Sequence, residues 1–207
     1  RESNKTTLLE LYLAFKIGLY PDTTNMLVRG SDATAKESGK NLARMLTENI
    51  AFTKIFFPHI IPDVGFSPVL GREGGSWNIS GYALRDDRIS PEDWAQRMAA
   101  RRGLTLMIFS PESGGIRGKR VDGVLLIDDL VVAKQSHSEA EMQSLIVEVN
   151  RALFKTRTET CMTIALGTPQ GVGDLLQRLI ESEGYNVLRQ PLVDENGVIS
   201  WPAKFSP

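Results

Sequence analysis

Residues 124–129 read VLLIDD, four consecutive apolar side chains followed by two aspartates. The run continues the segment RVDGVLLIDDL and is the clearest strand pattern in the chain. A short segment that is apolar on both faces is typical of a strand buried on both sides of a parallel sheet. We therefore expect a parallel sheet at the centre of the fold, with two carboxylates at the end of one strand.

Helix and strand patterns alternate along the rest of the chain. LLELYLAFKIGLY predicts a mostly buried helix, and a short apolar strand at 26–28, a polar turn and an amphipathic helix follow it. SEAEMQSLIVEVNRALFK predicts a further helix, whose Ser138 and Glu141 form a capping box, and strands follow in TCMTIALG and YNVLRQPLV. This alternation predicts an α/β domain around a mainly parallel sheet, with ligands at the carboxyl ends of the strands.

The composition fits a globular protein. Of the 207 residues 42% are hydrophobic, and the net charge of −1 argues against a uniformly basic coat for nucleic acid, while a local basic face stays open. The single Cys161 cannot form an internal disulfide, and its apolar surroundings predict a core thiol in a reducing compartment. His59 and His137 lack ligand spacing for zinc. No apolar run approaches the ~20 residues that span a bilayer, which predicts a soluble protein without a membrane partner.

The first seven residues, RESNKTT, end like a phosphate-binding loop of the pattern G-x-x-x-x-G-K-[ST]. Lys5 and Thr6 stand directly before a helix, whose amino terminus favours an anion. The lysine can contact phosphates and the hydroxyl can bind Mg²⁺. Because Asn4 stands where the pattern has Gly, the pair taken alone fits a surface lysine beside a helix cap better.

The two aspartates of VLLIDD change that interpretation. In a nucleotide site Asp128 would hold Mg²⁺ through water, and Asp129 would orient or deprotonate an attacking water. The alternative is a pair of solvated turn aspartates. Together with Lys5 and Thr6, the two acids favour a nucleotide-hydrolysing site.

Two further segments contain candidate residues for such a site. GGIRGKR, at 114–120, supplies Arg117 and Arg120, either of which could stabilise γ-phosphate charge from the same chain or from a neighbour. ALGTPQG, at 165–171, places Thr168 after a predicted strand, where its hydroxyl could contact the γ-phosphate or its attacking water. A basic turn and a simple Gly-Thr-Pro turn are the respective alternatives.

Several segments taken in order resemble the large terminase subunits of tailed bacteriophages, over nearly the whole chain. They are RESNKTT, LVRGSDATAK, FFPHIIPD, GGIRGKRVDGVLLIDDL, ALGTPQG and VISWPAKFSP. The resemblance implies a three-layer P-loop NTPase fold of the ASCE (RecA-like) type. We expect residues 1–197 to be its ATPase domain, truncated at the N-terminus, with the first strand and part of the phosphate loop missing. Residues 198–207 would begin a linker toward an absent nuclease domain, so no nuclease activity is expected.

The resemblance also implies roles for the residues of the phosphate loop. The family often has an Arg four residues before the loop Lys, as Arg1 stands before Lys5, and this Arg would sense or stabilise the γ-phosphate. Lys5 would bind phosphate and Thr6 would bind Mg²⁺. The implied ATP-binding residues are Arg1, Glu2, Ser3, Asn4, Lys5, Thr6 and Thr7.

By the same resemblance Asp128 and Asp129 form the Walker B pair, with Asp128 on Mg²⁺ and Asp129 as the carboxylate that acts on the attacking water. The family usually has the longer Glu in the second position. Thr168 lies in the coupling motif, and Arg117 or Arg120 is the candidate arginine finger.

The resulting hypothesis is an ATPase motor that hydrolyses Mg·ATP and drives double-stranded viral DNA into a prohead. The implied cofactors are ATP and Mg²⁺, and the implied partners are double-stranded DNA, the portal protein, the small terminase subunit and other copies of the chain in a ring. The implied location is the cytoplasm of the infected bacterial host, at the prohead portal. Two alternatives stay open, namely a helicase-like or other nucleic-acid-dependent P-loop ATPase, and a degenerate prophage remnant without turnover.

Overall fold

The computed structural model describes residues 5–55, 66–68, 81–85, 89–99, 104–111, 115–130, 138–168, 173–182, 184–188, 196 and 198. Several predictions from the sequence concern residues outside these ranges. They are the four loop residues Arg1, Glu2, Ser3 and Asn4, the two histidines His59 and His137, most of the last predicted strand, and the closing segment 199–207.

Helices and strands are interspersed along the described chain, although they do not alternate strictly. In chain order they are α1 (Lys5–Leu19), β1 (Asn25–Arg29), α2 (Asp32–Thr47), α3 (Ile50–Thr53), β2 (Ser67–Pro68), β3 (Gly81–Tyr82), β4 (Leu84–Arg85), α4 (Pro91–Ala99), β5 (Leu106–Phe109), β6 (Val124–Asp128), α5 (Glu139–Glu148), β7 (Met162–Leu166) and α6 (Leu175–Glu181). A π-helical turn, Val149–Leu153, and a 3-10 turn, Phe154–Thr156, extend α5.

Four parallel strands form the centre of the fold, in the spatial order β5-β1-β6-β7. The short β3 adds an antiparallel strand beside β5, and β2 pairs with β4 in a separate two-stranded sheet. The register aligns Arg29 at the end of β1 with Asp128 at the end of β6, and Asp128 with Leu166 at the end of β7. The predicted parallel α/β sheet is therefore confirmed, and three strand ends meet at one edge.

Apolar side chains alternate between the two faces of the sheet, and helices cover both faces. On one face Leu27 and Leu126 pack with α1 and α2, in a cluster that includes Leu13 and Leu42. On the other face the neighbouring strand positions, such as Leu125, pack with α5, its π-helical turn and α6. Because successive strand residues point to opposite sides, a continuous apolar strand serves both clusters. The result is three layers, with helices on either side of the sheet.

Helix α1 differs from the expectation of a mostly buried helix. Its buried face comprises Leu13, Ala14, Ile17 and Gly18 together with Glu10, whereas Leu8 is 68% exposed. Apolar residues lie on both sides of this helix, so their spacing alone does not indicate which side is buried. The buried side includes the acidic residue Glu10, and the surroundings of Glu10 form part of the site described below.

Strand β7 lies at an edge of the sheet. It pairs with β6 on one side, and among the described residues no strand pairs with its other side. Its first residue, Met162, is 44% exposed. Cys161 precedes this edge strand and is only partly buried, in contrast to the expected core position.

The predicted cap of α5 is present, since the Ser138 hydroxyl accepts a hydrogen bond from the backbone N–H of Glu141. Each helix in the described part of the chain is too short or too polar to cross a bilayer.

Candidate functional site

The site lies where the carboxyl ends of β1, β6 and β7 meet the start of α1. Thr6, in the first turn of α1, donates its hydroxyl hydrogen bond to Oδ2 of Asp128 over 2.9 Å, although the two residues are 122 positions apart in the sequence. Lys5 and Thr7 flank Thr6 and are exposed. The structure thus brings together one residue of the predicted phosphate loop and one of the predicted acid pair.

Asp128 is buried, with 1% of its surface exposed. Its Oδ2 accepts the Thr6 hydrogen bond and also pairs with Nη2 of Arg29 at 3.1 Å. Its Oδ1 is buried and has no hydrogen-bond partner among the described residues. Burial raises the pKa of Asp128, and the Arg29 charge and the Thr6 hydrogen bond offset only part of that rise. Oδ2 therefore has two partners, whereas Oδ1 is left to accept a hydrogen bond or to bind a cation.

Arg29 is a site residue that the sequence analysis missed. It ends β1, and its Nη1 donates to the Ser38 hydroxyl of α2 over 2.8 Å and to the Thr34 carbonyl over 3.5 Å. Its Nε is buried without a partner in the described structure. The available signal was a cation directly after a buried apolar strand. It becomes informative only once β1 is known to lie beside the strand that ends in Asp128.

Glu10 is the second site residue that the sequence did not indicate. It lies one turn after Thr6 on α1 and is 7% exposed. Burial raises the pKa of Glu10, and hydrogen bonding to Ser38 and Asn41 and the charge of Arg29 lower it in part, while the charge of Asp128 raises it further.

We call Thr6, Glu10, Arg29, Ser38 and Asp128 the buried polar cluster. It contains two acids and one cation, so it carries a formal charge of −1 when both acids are ionised. A further cation near this cluster would balance that charge.

Asp129 follows Asp128 in the chain but is not one of the buried residues of the cluster. It is exposed, and its φ of 44° lies in the left-handed region that residues other than Gly rarely adopt. Its backbone N–H donates to the Leu166 carbonyl over 3.0 Å, which fixes the turn after β6 against the end of β7. Strained backbone of this kind often occurs at functional sites.

A small open cavity lies beside this turn. Asp129, Gly167 and Thr168 are its polar or small lining residues, and Ile127, Leu130, Ala165, Leu166, Leu175, Leu176 and Leu179 are its apolar ones. Thr168 is exposed at the end of β7. The structure therefore brings Thr168 to the same edge of the sheet as Asp129, as the sequence predicts for a shared site.

The two candidate finger arginines are not brought to this edge. Arg117 and Arg120 are exposed in the loop that leads into the amino end of β6. Nη2 of Arg117 pairs with the Glu148 carboxylate at 3.3 Å, at the last residue of α5. A role for either arginine beside Asp128 of the same chain therefore finds no support, and action on a neighbouring subunit stays a prediction.

The donor set restricts which metal ion the site could hold. The described residues contain no group of three or more His, Cys, Asp or Glu side chains that could hold a metal ion. The cluster offers one carboxylate oxygen, Oδ1 of Asp128, and the neighbouring hydroxyl of Thr6. This set fits Mg²⁺, which usually keeps several waters and takes one or two protein carboxylates plus substrate phosphates. It does not fit a site in which the protein supplies all the ligands.

The chain was also compared with known proteins. No family model matches it, and no curated protein sequence matches it.

Proposed function

We propose that this chain is the ATPase motor domain of a phage terminase large subunit, which hydrolyses Mg·ATP to move double-stranded DNA into a prohead. The observation that carries the proposal is the Thr6–Asp128 hydrogen bond at the carboxyl edge of a parallel sheet. In phosphoryl-transfer enzymes with a P-loop, a Ser or Thr of the loop and an Asp at a strand end hold the same Mg²⁺. The motif resemblance and the contact point to the same two residues.

Each residue of the site has a role in this proposal. Lys5 and the first turn of α1 attract the phosphates, since a helix amino terminus carries a partial positive charge. Thr6 and Asp128 would hold Mg²⁺, which neutralises charge on the β- and γ-phosphates when bound. Asp129 orients the attacking water and accepts its proton. Thr168 lies beside Asp129, where its hydroxyl can contact the γ-phosphate.

The proposed P-loop fold also bears on the edge of β7 that no strand of the described residues pairs with. Helices α1 and α2 pack on the same face of the sheet, and the connection from β1 through α2 to β5 leads away from β6. Crossovers between parallel strands are right-handed, so a strand that leads through α1 into β1 must lie on the side of β6 and β7. The outer edge of β7 is the position compatible with this rule. Helix α1 lies close to β7, since the hydroxyl of Tyr12 is 3.2 Å from the sulfur of Met162.

The implied partners, namely DNA, the portal protein, the small subunit and further copies in a ring, belong to the same proposal and rest on the motif resemblance. A motor of this kind is expected to hydrolyse ATP faster when double-stranded DNA is present. A helicase-like ATPase would respond to single-stranded nucleic acid instead.

The experiment that tests the proposal is steady-state Mg·ATP hydrolysis by the protein expressed from its complete reading frame. Lys5→Ala and Asp129→Asn are each expected to lower kcat, the latter by roughly 10²–10⁴-fold because a positioned base contributes that much. Lys40→Ala, which removes an exposed cation of α2, is the matched control and should leave kcat unchanged. A folded parent that neither binds nor hydrolyses ATP would contradict the proposal and favour the degenerate remnant.

A further inference from the structure

We infer that Arg29 is a positioning residue for the proposed cation site: it holds Oδ2 of Asp128 so that Oδ1 is the oxygen presented to the cation. This inference rests on the proposed function. It concerns a residue that the motif resemblance assigns no role.

The first argument is that Arg29 is fixed at both of its terminal nitrogens. Nη2 pairs with Oδ2 of Asp128 at 3.1 Å, and Nη1 donates to the Ser38 hydroxyl over 2.8 Å. The guanidinium is planar, so a rotation that improved one contact would lose the other. The side chains of Arg29 and Asp128 are only 14% and 2% exposed. Arg29 is therefore a rigid link between α2 and the end of β6.

The second argument is the unequal treatment of the two carboxylate oxygens. Both described donors, Thr6 and Arg29, point to Oδ2. Oδ1 is equally part of a buried carboxyl group, yet it has no hydrogen-bond partner among the described residues. Buried polar atoms in native proteins are almost always satisfied, so a water or an ion is expected at an atom of this kind. Carboxylate oxygens are also what Mg²⁺ prefers as protein ligands.

The third argument is the charge balance around the guanidinium. Glu10 of α1 and Asp128 of β6 both interact with Arg29 through its charge. A neutral residue in place of Arg29 would leave two buried acids near each other, and the Asp128 side chain would lose the contact that fixes its orientation. Loss of the Arg29 charge would by itself strengthen the binding of a cation, so a weaker Mn²⁺ affinity in Arg29→Met would report the lost orientation of Asp128.

The test measures Mn²⁺ binding directly rather than turnover. Mn·ATP is titrated with the complete protein, and protein-bound Mn²⁺ is followed by the enhanced relaxation rate of water protons, because ATP itself binds Mn²⁺ and the signal of free Mn²⁺ would not report the protein. Arg29→Met is expected to weaken Mn²⁺ affinity roughly 10–100-fold, the usual effect of removing a residue that orients a metal ligand. Arg44→Met makes the same chemical change at an exposed arginine of α2 and should leave the affinity unchanged.

A gentler pair of variants keeps the inference testable if Arg29→Met does not fold. Ser38→Ala removes one anchor of the guanidinium, together with a hydrogen bond of Glu10, and leaves the Arg29–Asp128 ion pair in place. Ser144→Ala is its control at an exposed serine of α5. We expect weaker Mn²⁺ binding for Ser38→Ala and unchanged Mn²⁺ binding for Ser144→Ala. Arg29→Lys should bind Mn²⁺ with an affinity between those of Arg29→Met and the parent, because an ammonium can pair with Oδ2 without also reaching Ser38.

The outcomes separate this inference from the proposed function. If the parent binds Mn²⁺ with ATP while folded Arg29→Lys and Ser38→Ala bind it as tightly, the positioning role is wrong and the proposed ATPase still stands. If the folded parent shows no Mn²⁺ binding with ATP, the proposed function is wrong, and so is the inference that rests on it.

Discussion

The two ends of strand β6 are both polar, but their polar groups are arranged differently. At the amino end the backbone N–H of Val124 donates to Oδ1 of Asn25 over 2.8 Å, and Nδ2 of Asn25 donates to the Thr105 carbonyl over 3.0 Å. Asp122 accepts from the backbone N–H of Thr24. The buried part of this end is a neutral network around Asn25, in which both polar atoms of its side chain are satisfied, and the acid Asp122 is exposed.

At the carboxyl end the buried groups are charged and incompletely satisfied. Oδ1 of Asp128 and Nε of Arg29 both lack a partner in the described part of the chain, and Asp129 adopts a positive φ. Natural proteins depart from full satisfaction and relaxed backbone mainly at functional sites. The amino end of β6 therefore fits a structural role, whereas the carboxyl end fits the proposed binding site, where stability would be given up for binding.

The largest expected effect comes from the Arg29–Asp128 ion pair. Arg29→Met leaves a buried carboxylate without its cation and should lower the free energy of unfolding by about 3–5 kcal/mol. Urea denaturation followed by circular dichroism measures this change. Arg44→Met should stay within about 0.5 kcal/mol of the parent, as is usual for exposed positions. Equal losses in both variants would show that the carboxyl end carries no special buried charge.

At the amino end Asn25→Ala should cost about 1–3 kcal/mol, because the N–H of Val124 and the carbonyl of Thr105 lose a buried partner. The same variant should leave Mn²⁺ affinity in the presence of ATP unchanged. Urea denaturation and the Mn²⁺ titration check the two statements separately. A large loss of Mn²⁺ affinity would remove the proposed division between the two ends.

A pH-dependent effect is expected from Glu10. Since burial raises its pKa above the usual value near 4.5, the folded chain binds this proton more tightly than the unfolded chain does. Stability from Glu10 is therefore full below about pH 4.5 and is lost as pH rises through the folded pKa. Asp128 has a shift of the same sign, so the parent loses stability over this range through both acids.

Glu10→Gln removes one of these two titrations. Relative to the parent, its free energy of unfolding should increase as pH rises above about 4.5. Urea unfolding at a series of pH values measures the difference. Glu37→Gln, at an exposed position of α2, should run parallel to the parent. A Glu10→Gln curve that also ran parallel would mean that the Glu10 carboxyl is not desolvated.

The smallest expected effect concerns the backbone at Asp129. Its φ of 44° suits Gly better than any residue with a Cβ, so Asp129→Gly should be more stable than Asp129→Ala by about 1 kcal/mol. The two variants are compared by thermal or urea unfolding. Both should lack ATP turnover if Asp129 is the proposed base. Equal stability would indicate that the turn relaxes without strain.

The sequence predicted those parts of the fold and site that depend on local pattern. The apolar run of β6, its two terminal acids and the Ser138 cap each need only a few adjacent residues to be recognised. The contact between Thr6 and Asp128 was implied by motifs that place each residue next to the same ligand. The place of Thr168 was also predicted from local pattern, because Thr168 follows a predicted strand, which the structure pairs with β6.

Arg29 and Glu10 could not be predicted in the same way. The role of Arg29 depends on the register of β1 against β6, and that register is set by pairing between segments about 100 residues apart. Glu10 lies in a helix with apolar residues on both sides, so its burial depends on which side meets the sheet. Arg117 and Arg120 were predicted to be site residues because arginine suits a phosphate group. Their loop lies at the amino end of β6, away from Asp128.

The most direct test of the proposed site is ATP turnover by Thr6→Ala, Asp128→Asn and the double variant, with all three shown to be folded. If the two side chains bind one Mg²⁺, each single variant should abolish most activity, and the double variant should be hardly worse than either, since residues that act as a unit are strongly non-additive. Independent, additive losses, or unchanged turnover in either single variant, would contradict a shared cation site at the end of β6.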